Sequence, residues 1–414
     1  MQFHNPNLII IPSVSVWRND NILSFDRKFY DGMLLYTKEW PGMVSCIVSL
    51  SNSSLLDFGV INKTIDELQF KCIILEANEI ITIDHLTGAS IVLASADADN
   101  QLHISALCRK CHVKCIYVIE YIPETRYQIT YLSTRNPLVM LRRFLYIWQQ
   151  EKKRILAFGI SDGLQSNGVP AYYEYKKFKN NLLYFDTRVY KNNCITDADL
   201  EARLNDLTKK KPLRLAFSGR LIRIKGADHL VYLALLLKQR KVLFSLTIYG
   251  AGELKDEMIA FIKKNQLESV VYLPGPVDFY NKLLPELKKN IDLFVCLHRQ
   301  SDPSCTYLET LSCGIPIVGY KNRAFSGLLT MEDIGWAAKI NDLKKIADII
   351  EYLSIPGKVY HPFRVKVCQV FRDIMCHRFR GKVYHLFEAR FAVRSYTILS
   401  NFLLLIDSPF NSSR

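Results

Sequence analysis

Long apolar runs, a basic leader and paired cysteine motifs are all missing from this chain, and each absence removes a class of protein. No stretch reaches the about 18 uninterrupted apolar residues of a membrane span. The longest candidate, "YTILSNFLLLI" (Tyr396–Ile406), is shorter and contains Asn401. The amino terminus, "MQFHNPNLIIIPSVSVW", has no basic start, and its apolar run breaks at Pro12. It reads as a buried first strand rather than a signal peptide. The eleven cysteines are an odd number scattered through apparent strands and helices, which suits free, mostly buried thiols in a reducing cytoplasm. One cluster, "CRKCHVKC" (Cys108, Cys111, His112, Cys115), carries zinc-type ligands. No second pair follows it, and Cys115 opens the apolar strand "CIYVIEY", so its side chain should point into a sheet; zinc is not expected.

What is present describes an ordinary folded protein. The chain has 414 residues, 49% of them apolar and 23% charged, enough for two domains. Its net charge of +14 implies an anionic partner, such as nucleic acid, anionic lipid or a phosphorylated metabolite. No RNA-binding signature or aromatic-basic stripe accompanies the charge, so nucleic acid is not expected.

Two blocks of strand-helix alternation follow each other. Over residues 8–186 the β-rich runs are "LIIIPSVSVW", "MVSCIVSL", "FKCIILEA", "ASIVLAS", "KCIYVIEY", "RILAFGIS" and "LLYFDTRV", spaced as parallel β-α-β units would be. A polar stretch at 190–211 reads as a linker with one short helix. A second series begins at "LRLAFSG" and continues through "FSLTIYG", "SVVYLPG", "IDLFVCL" and "IPIVGY". Two doubly wound domains result, with ligands expected at the carboxyl ends of their strands. The predicted bounds are 1–189, a linker at 190–211, 212–378, and a closing helix and tail over 379–414.

Three strand ends in the second block suit an anion. In "FSGRLIRIKGADHL" a strand ends at Gly219, Arg220 follows, and Lys225 precedes the next helix; two cations beside a helix amino terminus fit a diphosphate. The order Lys-Gly is wrong for a Walker A loop, and solvated loop charges are the competing explanation. In "LTIYGAGELKDEM", Gly250 and Gly252 lie where backbone must approach something closely. The dinucleotide pattern would need a glycine at Lys255, and a plain tight turn would also serve. In "SDPSCTYLETLSCGIPIVGY" a helix beginning near Ser304, Cys305 and Thr306 turns free backbone N–H groups to the same cleft. Glu309, one turn in, could accept from a ribose diol; equally, Thr306-x-x-Glu309 fits a capping box in which Glu309 caps its own helix.

In combination, "GRL....KG", strand-"GAG"-helix, "LPG" and "SDPSCTYLETLSCGIPIV" resemble the carboxyl-terminal domain of retaining, nucleotide-sugar-dependent glycosyltransferases of the GT-B fold, in the surface-polysaccharide branch of glycosyltransferase family 4. The resemblance is strongest over Leu213–Phe325. It implies two Rossmann-like domains facing across a cleft and a cytoplasmic, metal-independent hexosyltransferase of polysaccharide biosynthesis without a cofactor, the nucleotide-sugar being a co-substrate. It further implies that Arg220 and Lys225 neutralise the leaving diphosphate, and that Gly219, Gly250 and Gly252 lie against the nucleotide. Ser304, Cys305 and Thr306 would then offer amides to the phosphates, and Glu309 would hold the ribose. The implied donor is a UDP- or GDP-sugar and the implied acceptor a glycan or lipid-linked glycan. The family commonly carries a further glutamate, near the transferred sugar, at the position of Ser301; here Ser301 is followed by Asp302, so either Asp302 substitutes with a shifted reach or the sugar is held differently. A nucleotide-sugar epimerase on the same scaffold and a non-catalytic relative are the alternatives.

The first block implies less. Asp97, Asp99, Glu120 and Asp162 follow apparent strands, where each would face the cleft as an acceptor residue or simply end a strand. Asp97-Ala98-Asp99 also has the form of the metal-binding DxD of GT-A transferases, but the diphosphate cations lie in the other block and no metal is expected. "NPLVMLRRFLYIWQQEKKR" (Asn136–Arg154) is basic and amphipathic. It could rest on the inner face of a membrane or pack inward with a solvated basic face.

Overall fold

The computed structural model describes residues 6–53, 59–207 and 212–355. The closing helix expected over 379–414 and the far end of the 212–378 domain lie outside the described residues.

The first domain runs β1 (Leu8–Ile11), β2 (Trp17–Asn19), β3 (Ile22–Asp26), α1 (Arg27–Glu39), β4 (Val44–Ser49), β5 (Val60–Thr64), β6 (Lys71–Leu75), β7 (Ile91–Ser95), α2 (Ile104–Lys110), β8 (Lys114–Ile119), α3 (Pro123–Ser133), α4 (Pro137–Ile160), β9 (Gly163–Asn167), α5 (Gly168–Glu174) and β10 (Asn181–Tyr184). Its parallel sheet has the order β10-β9-β8-β7-β1-β4-β6, while β2, β3 and β5 form a small antiparallel sheet. Central strand β1 is apolar along its whole length because both faces are covered. In β1, Ile9 and Ile11 enter one core and Leu8 and Ile10 the other.

After α6 (Asp197–Leu207) the second domain runs β11 (Leu213–Ser218), α7 (Ala227–Gln239), β12 (Phe244–Tyr249), α8 (Lys255–Lys264), β13 (Val271–Gly275), α9 (Leu284–Asn290), β14 (Leu293–Cys296), α10 (Cys305–Ser312), β15 (Ile317–Tyr320), α11 (Arg323–Met331), β16 (Gly335–Ala338) and α12 (Leu343–Leu353). Its parallel sheet has the order β13-β12-β11-β14-β15-β16. Helix α6, in the polar stretch, docks on this domain. Its buried Arg203 donates to the carbonyls of Cys313 at 2.9 Å and Lys288 at 3.0 Å.

The strand order reverses beside β1 in one sheet and beside β11 in the other, so each domain offers a crevice at its carboxyl edge. The two domains touch tightly at α5 and α11. A Cβ on Gly168, whose φ is +75°, would lie 2.4 Å from Pro303, and one on Gly327 would lie 2.5 Å from Val169.

Two expectations for the first domain are corrected here. "RILAFGIS" is the end of α4, not a strand. Arg154, Ala157 and Phe158 face the core at helical spacing, while Leu156 and Ile160 are exposed. The strand is instead "GLQSN", β9, whose buried Gln165, Ser166 and Asn167 disguise it as a loop. Asp162 therefore precedes a strand rather than following one. It accepts from the Cys115 amide at 2.9 Å and pairs with Lys114 at 3.2 Å, at the amino edge of the sheet, away from the cleft. Cys108 and Cys115 of the candidate zinc cluster both lie in the hydrophobic core.

Candidate active site

The loop after β11 is shaped by backbone contact. A Cβ on Gly250, whose φ is +134°, would meet the Gly219 carbonyl at 2.0 Å, and one on Gly252 would meet the Leu221 carbonyl at 2.5 Å. The "GAG" glycines thus admit the "GRL" loop, and the amide of Leu221 donates to the Ala251 carbonyl at 2.9 Å. A second clamp holds the turn Arg223–Lys225. Gly226, at φ +70°, sits where a Cβ would strike the Leu297 carbonyl at 2.0 Å. Buried Lys225 is thereby fixed beside the end of β14, its Nζ 3.6 Å from Asp302 Oδ2.

Arg220 is exposed and acts on Tyr121 of the first domain, as Asp302 does from the second. Burial, then Asp302, Glu120 and Asp97, push the Tyr121 hydroxyl up to about 12. The two cations therefore border one space, with Asp302 between Lys225 and Tyr121. The other Asp302 carboxylate oxygen, Oδ1, is buried without a hydrogen-bond partner among the described residues.

Helix α10 opens onto the same space. Ser304 is its N-cap residue, but the Ser304 hydroxyl bonds Thr306 Oγ1 at 3.1 Å instead of capping the helix. The capping-box alternative for Glu309 does not hold, because its buried carboxylate accepts from Arg188 Nε at 2.9 Å. Arg188 lies over the Phe279 ring at 3.9 Å, and Tyr280 donates to its carbonyl at 2.8 Å. At the helix mouth, Lys28 of α1 reaches Cys305 Sγ at 3.2 Å and pairs with Asp186. Burial opposes the Lys28 charge, but Asp186 and Cys305 outweigh it and raise its pKa. Burial and Asp186 push the Cys305 thiol up to about 11.

His298 lies behind Lys225, fully enclosed between Phe217 and Tyr307 at ring distances of 6.3 Å and 5.9 Å. Neither ring nitrogen has a hydrogen-bond partner among the described residues. Burial and the Lys225 charge hold its pKa well below the usual histidine value, so it is neutral.

On the first domain, Glu120 faces this group. Burial and the nearby Asp186 raise its carboxyl to about 7, against a hydrogen bond from Asn167 Nδ2 at 2.9 Å. Asp97 is committed elsewhere: its buried carboxylate accepts the amides of Glu120 at 2.6 Å and Tyr121 at 3.2 Å and pairs with Arg126 at 3.1 Å. It pins the loop after β8 and leaves no ligating face, and Asp99 is held by Tyr146 at 2.5 Å.

The structure thus gathers Arg220, Lys225, Asp302, Glu309, Glu120 and the α10 entrance. It keeps Asp97 as a structural peg and separates Asp162 from the group. Sequence reasoning missed Lys28, Tyr121, Asp186, Arg188 and His298. For Asp186 and Arg188 the signal was available in "YFDTRV", where they follow a strand.

Two parallel-sheet Rossmann-like domains with facing carboxyl edges make this chain a GT-B fold protein. Anabaena Alr3699/HepE in complex with UDP has the same fold, with a TM-score of 0.60 at 11% identity, covering 96% of this chain and 99% of that one. WaaG, a glycosyltransferase involved in lipopolysaccharide biosynthesis, gives a TM-score of 0.56 at 11% identity, covering 92% and 97%. Within this fold, residues 201–363 match the family model described as Glycosyl transferases group 1. The chain is also 27% identical over 158 residues to the amylovoran biosynthesis glycosyltransferase AmsK of Erwinia amylovora, covering 35% of this chain and only 36% of AmsK.

Proposed function

We propose that the protein is a glycosyltransferase of surface-polysaccharide assembly, moving a hexose from a UDP- or GDP-sugar to a glycan or lipid-linked acceptor with retention. The observation that carries this reading is the convergence of Arg220, the Lys225 turn and the α10 mouth at the carboxyl edge of a group 1 glycosyl transferase domain. UDP in the HepE complex supports a nucleoside diphosphate donor.

In the reaction the bond from C1 to the β-phosphate oxygen breaks, and the acceptor oxygen bonds C1 on the same face. The acceptor proton passes to an oxygen of the departing diphosphate. Arg220 and Lys225 stabilise that diphosphate as its charge grows, and no protein nucleophile is required. The α10 amides would hold phosphate oxygens, and Glu309 would take the ribose hydroxyls once Arg188 yields it. Closure of the two domains excludes water and orients the acceptor. No metal or other cofactor is assigned a role.

Helix α4 fits a lipid-linked acceptor. It buries Ile147, Arg154 and Phe158 but leaves Leu138, Leu141, Leu145 and Trp148 exposed along one stripe, near Arg142, Arg143, Lys152 and Lys153. An exposed apolar stripe flanked by cations suits peripheral contact with an anionic leaflet, on the cytoplasmic side where nucleotide-sugars are made.

The test is a thermal-shift and transfer assay with UDP-, GDP- and ADP-sugars, run with and without anionic vesicles. One nucleotide should raise the melting temperature, and Lys225→Ala should cut transfer about 100- to 1,000-fold. Full donor binding and transfer by Lys225→Ala would overturn the assignment, and a wild-type protein that stays in the supernatant with sedimenting vesicles would remove the membrane contact.

A further inference from the structure

Ser301, on the donor side of the site, is engaged by the opposite domain. Ser301 is buried, and its hydroxyl donates to Glu124 Oε1 at 2.9 Å. Gln128, one turn along α3, donates to the same carboxylate oxygen at 3.0 Å and accepts the Ser301 amide at 3.0 Å. Arg323 of α11 holds the other oxygen at 3.0 Å. Three donors, two of them from the opposite domain, thus fix one carboxylate.

A plain interdomain latch explains only half of this. Glu174 already takes both terminal nitrogens of Arg323, each at 3.0 Å, so the arginine is satisfied without Glu124. Ser301 and Gln128 also join the domains, and in doing so they fix the direction of Glu124 Oε1. The Glu124 side chain stays 41% exposed, and its three donors leave one lone pair, on Oε2, free to accept. Its helix, α3, packs against the Arg223–Lys225 turn, and Asp302, next to Ser301, is the partner of Lys225. Glu124 therefore stands just beyond the diphosphate cations, where the group attached to the diphosphate would lie.

We propose that Glu124 is a specificity-determining residue that accepts a hydrogen bond from a hydroxyl of the transferred sugar, with Ser301 and Gln128 as its positioning residues. This rests on the nucleotide-sugar reading of the site. Its consequence is that the sugar is read from the amino-terminal domain, so donor recognition is completed only when the domains are together.

The experiment measures calorimetric affinities for UDP, GDP and ADP, and for their glucose, galactose and N-acetylglucosamine esters. The full chain is compared with Glu124→Ala, Glu124→Asp, Ser301→Ala and the exchange Glu124→Ala with Ser301→Glu. Glu124→Ala should leave the bare diphosphate within about twofold and weaken the preferred sugar ester about 10-fold or more, the loss expected for a hydrogen bond to a charged group. Glu124→Asp should recover part of this, the exchange variant should recover more, and Ser301→Ala should lie between wild type and Glu124→Ala.

Equal weakening of diphosphate and ester would make Glu124 a merely structural contact and overturn the proposal, as would an unchanged ester affinity in Glu124→Ala. If wild type binds a diphosphate but none of the esters differently, Glu124 has no sugar to read and the inference fails alone. If wild type binds no diphosphate, the nucleotide-sugar reading fails and takes this inference with it.

Discussion

The carboxyl edges of the two domains are built from different materials. In the second domain the edge is made largely of backbone, with the "GRL" and "GAG" loops pressed together, Gly226 clamped on Leu297, and the amides of α10. In the first domain it is made of side chains: Asp97 holding two amides and Arg126, Asn167 on Glu120, and Lys28 on Asp186. Backbone that must pass within about 2 Å of a would-be Cβ admits only glycine, so it marks the sequence. A carboxylate ending a strand is ambiguous, because ligand binding and loop anchoring call for the same residue type.

Three substitutions sharpen this contrast. The largest effect is expected for Asp97→Ala. It removes one carboxylate partner of buried Arg154, 3.7 Å away, and of Arg126, and frees two loop amides, so denaturant unfolding should show a loss of about 3–5 kcal/mol. A loss below about 1 kcal/mol would mean Asp97 is kept for a ligand instead.

Next comes Glu120→Gln. The folded carboxyl binds its proton up to about 7, against an ordinary glutamate value of 4.5. Stability linked to this group is therefore intact below about pH 4.5 and lost as pH rises through 7. The variant should be the more stable protein above pH 7, by up to about 3 kcal/mol, and the stability difference should shrink on acidification. A pH-independent difference between the two melting curves would contradict the assignment.

The smallest stability effect, about 1–3 kcal/mol, is expected for Gly250→Ala, which drives a methyl group into the Gly219 carbonyl. Its binding effect should be larger in proportion, because the displaced loop carries Arg220. Unchanged nucleotide affinity in a folded Gly250→Ala protein would show that the loop contact does not position the cation.

The same contrast explains what could be read from the chain alone. The second-domain strands from Leu213 to Tyr320 were legible from apolar runs ending in glycine or a charged loop. In the first domain β9 was hidden, because Ser166 and Asn167 are polar residues satisfied inside the protein by Asn181 and Glu120. The neighbouring apolar run Ile155–Ile160 imitated a strand although it ends a helix. Lys28 was not legible as a site residue, since chain folding alone brings it across 277 positions to Cys305.

The glycine at 168 has a mechanical consequence. With Pro303 seated where its side chain would be, and Val169 filling the matching notch at Gly327, the lobes interlock like knuckles and resist sliding past one another. Relative motion is left mainly as a tilt about that joint. The mouth through which a substrate enters must then gape widest at the rim farthest from residue 168, while atoms beside the pivot keep their spacing throughout the cycle.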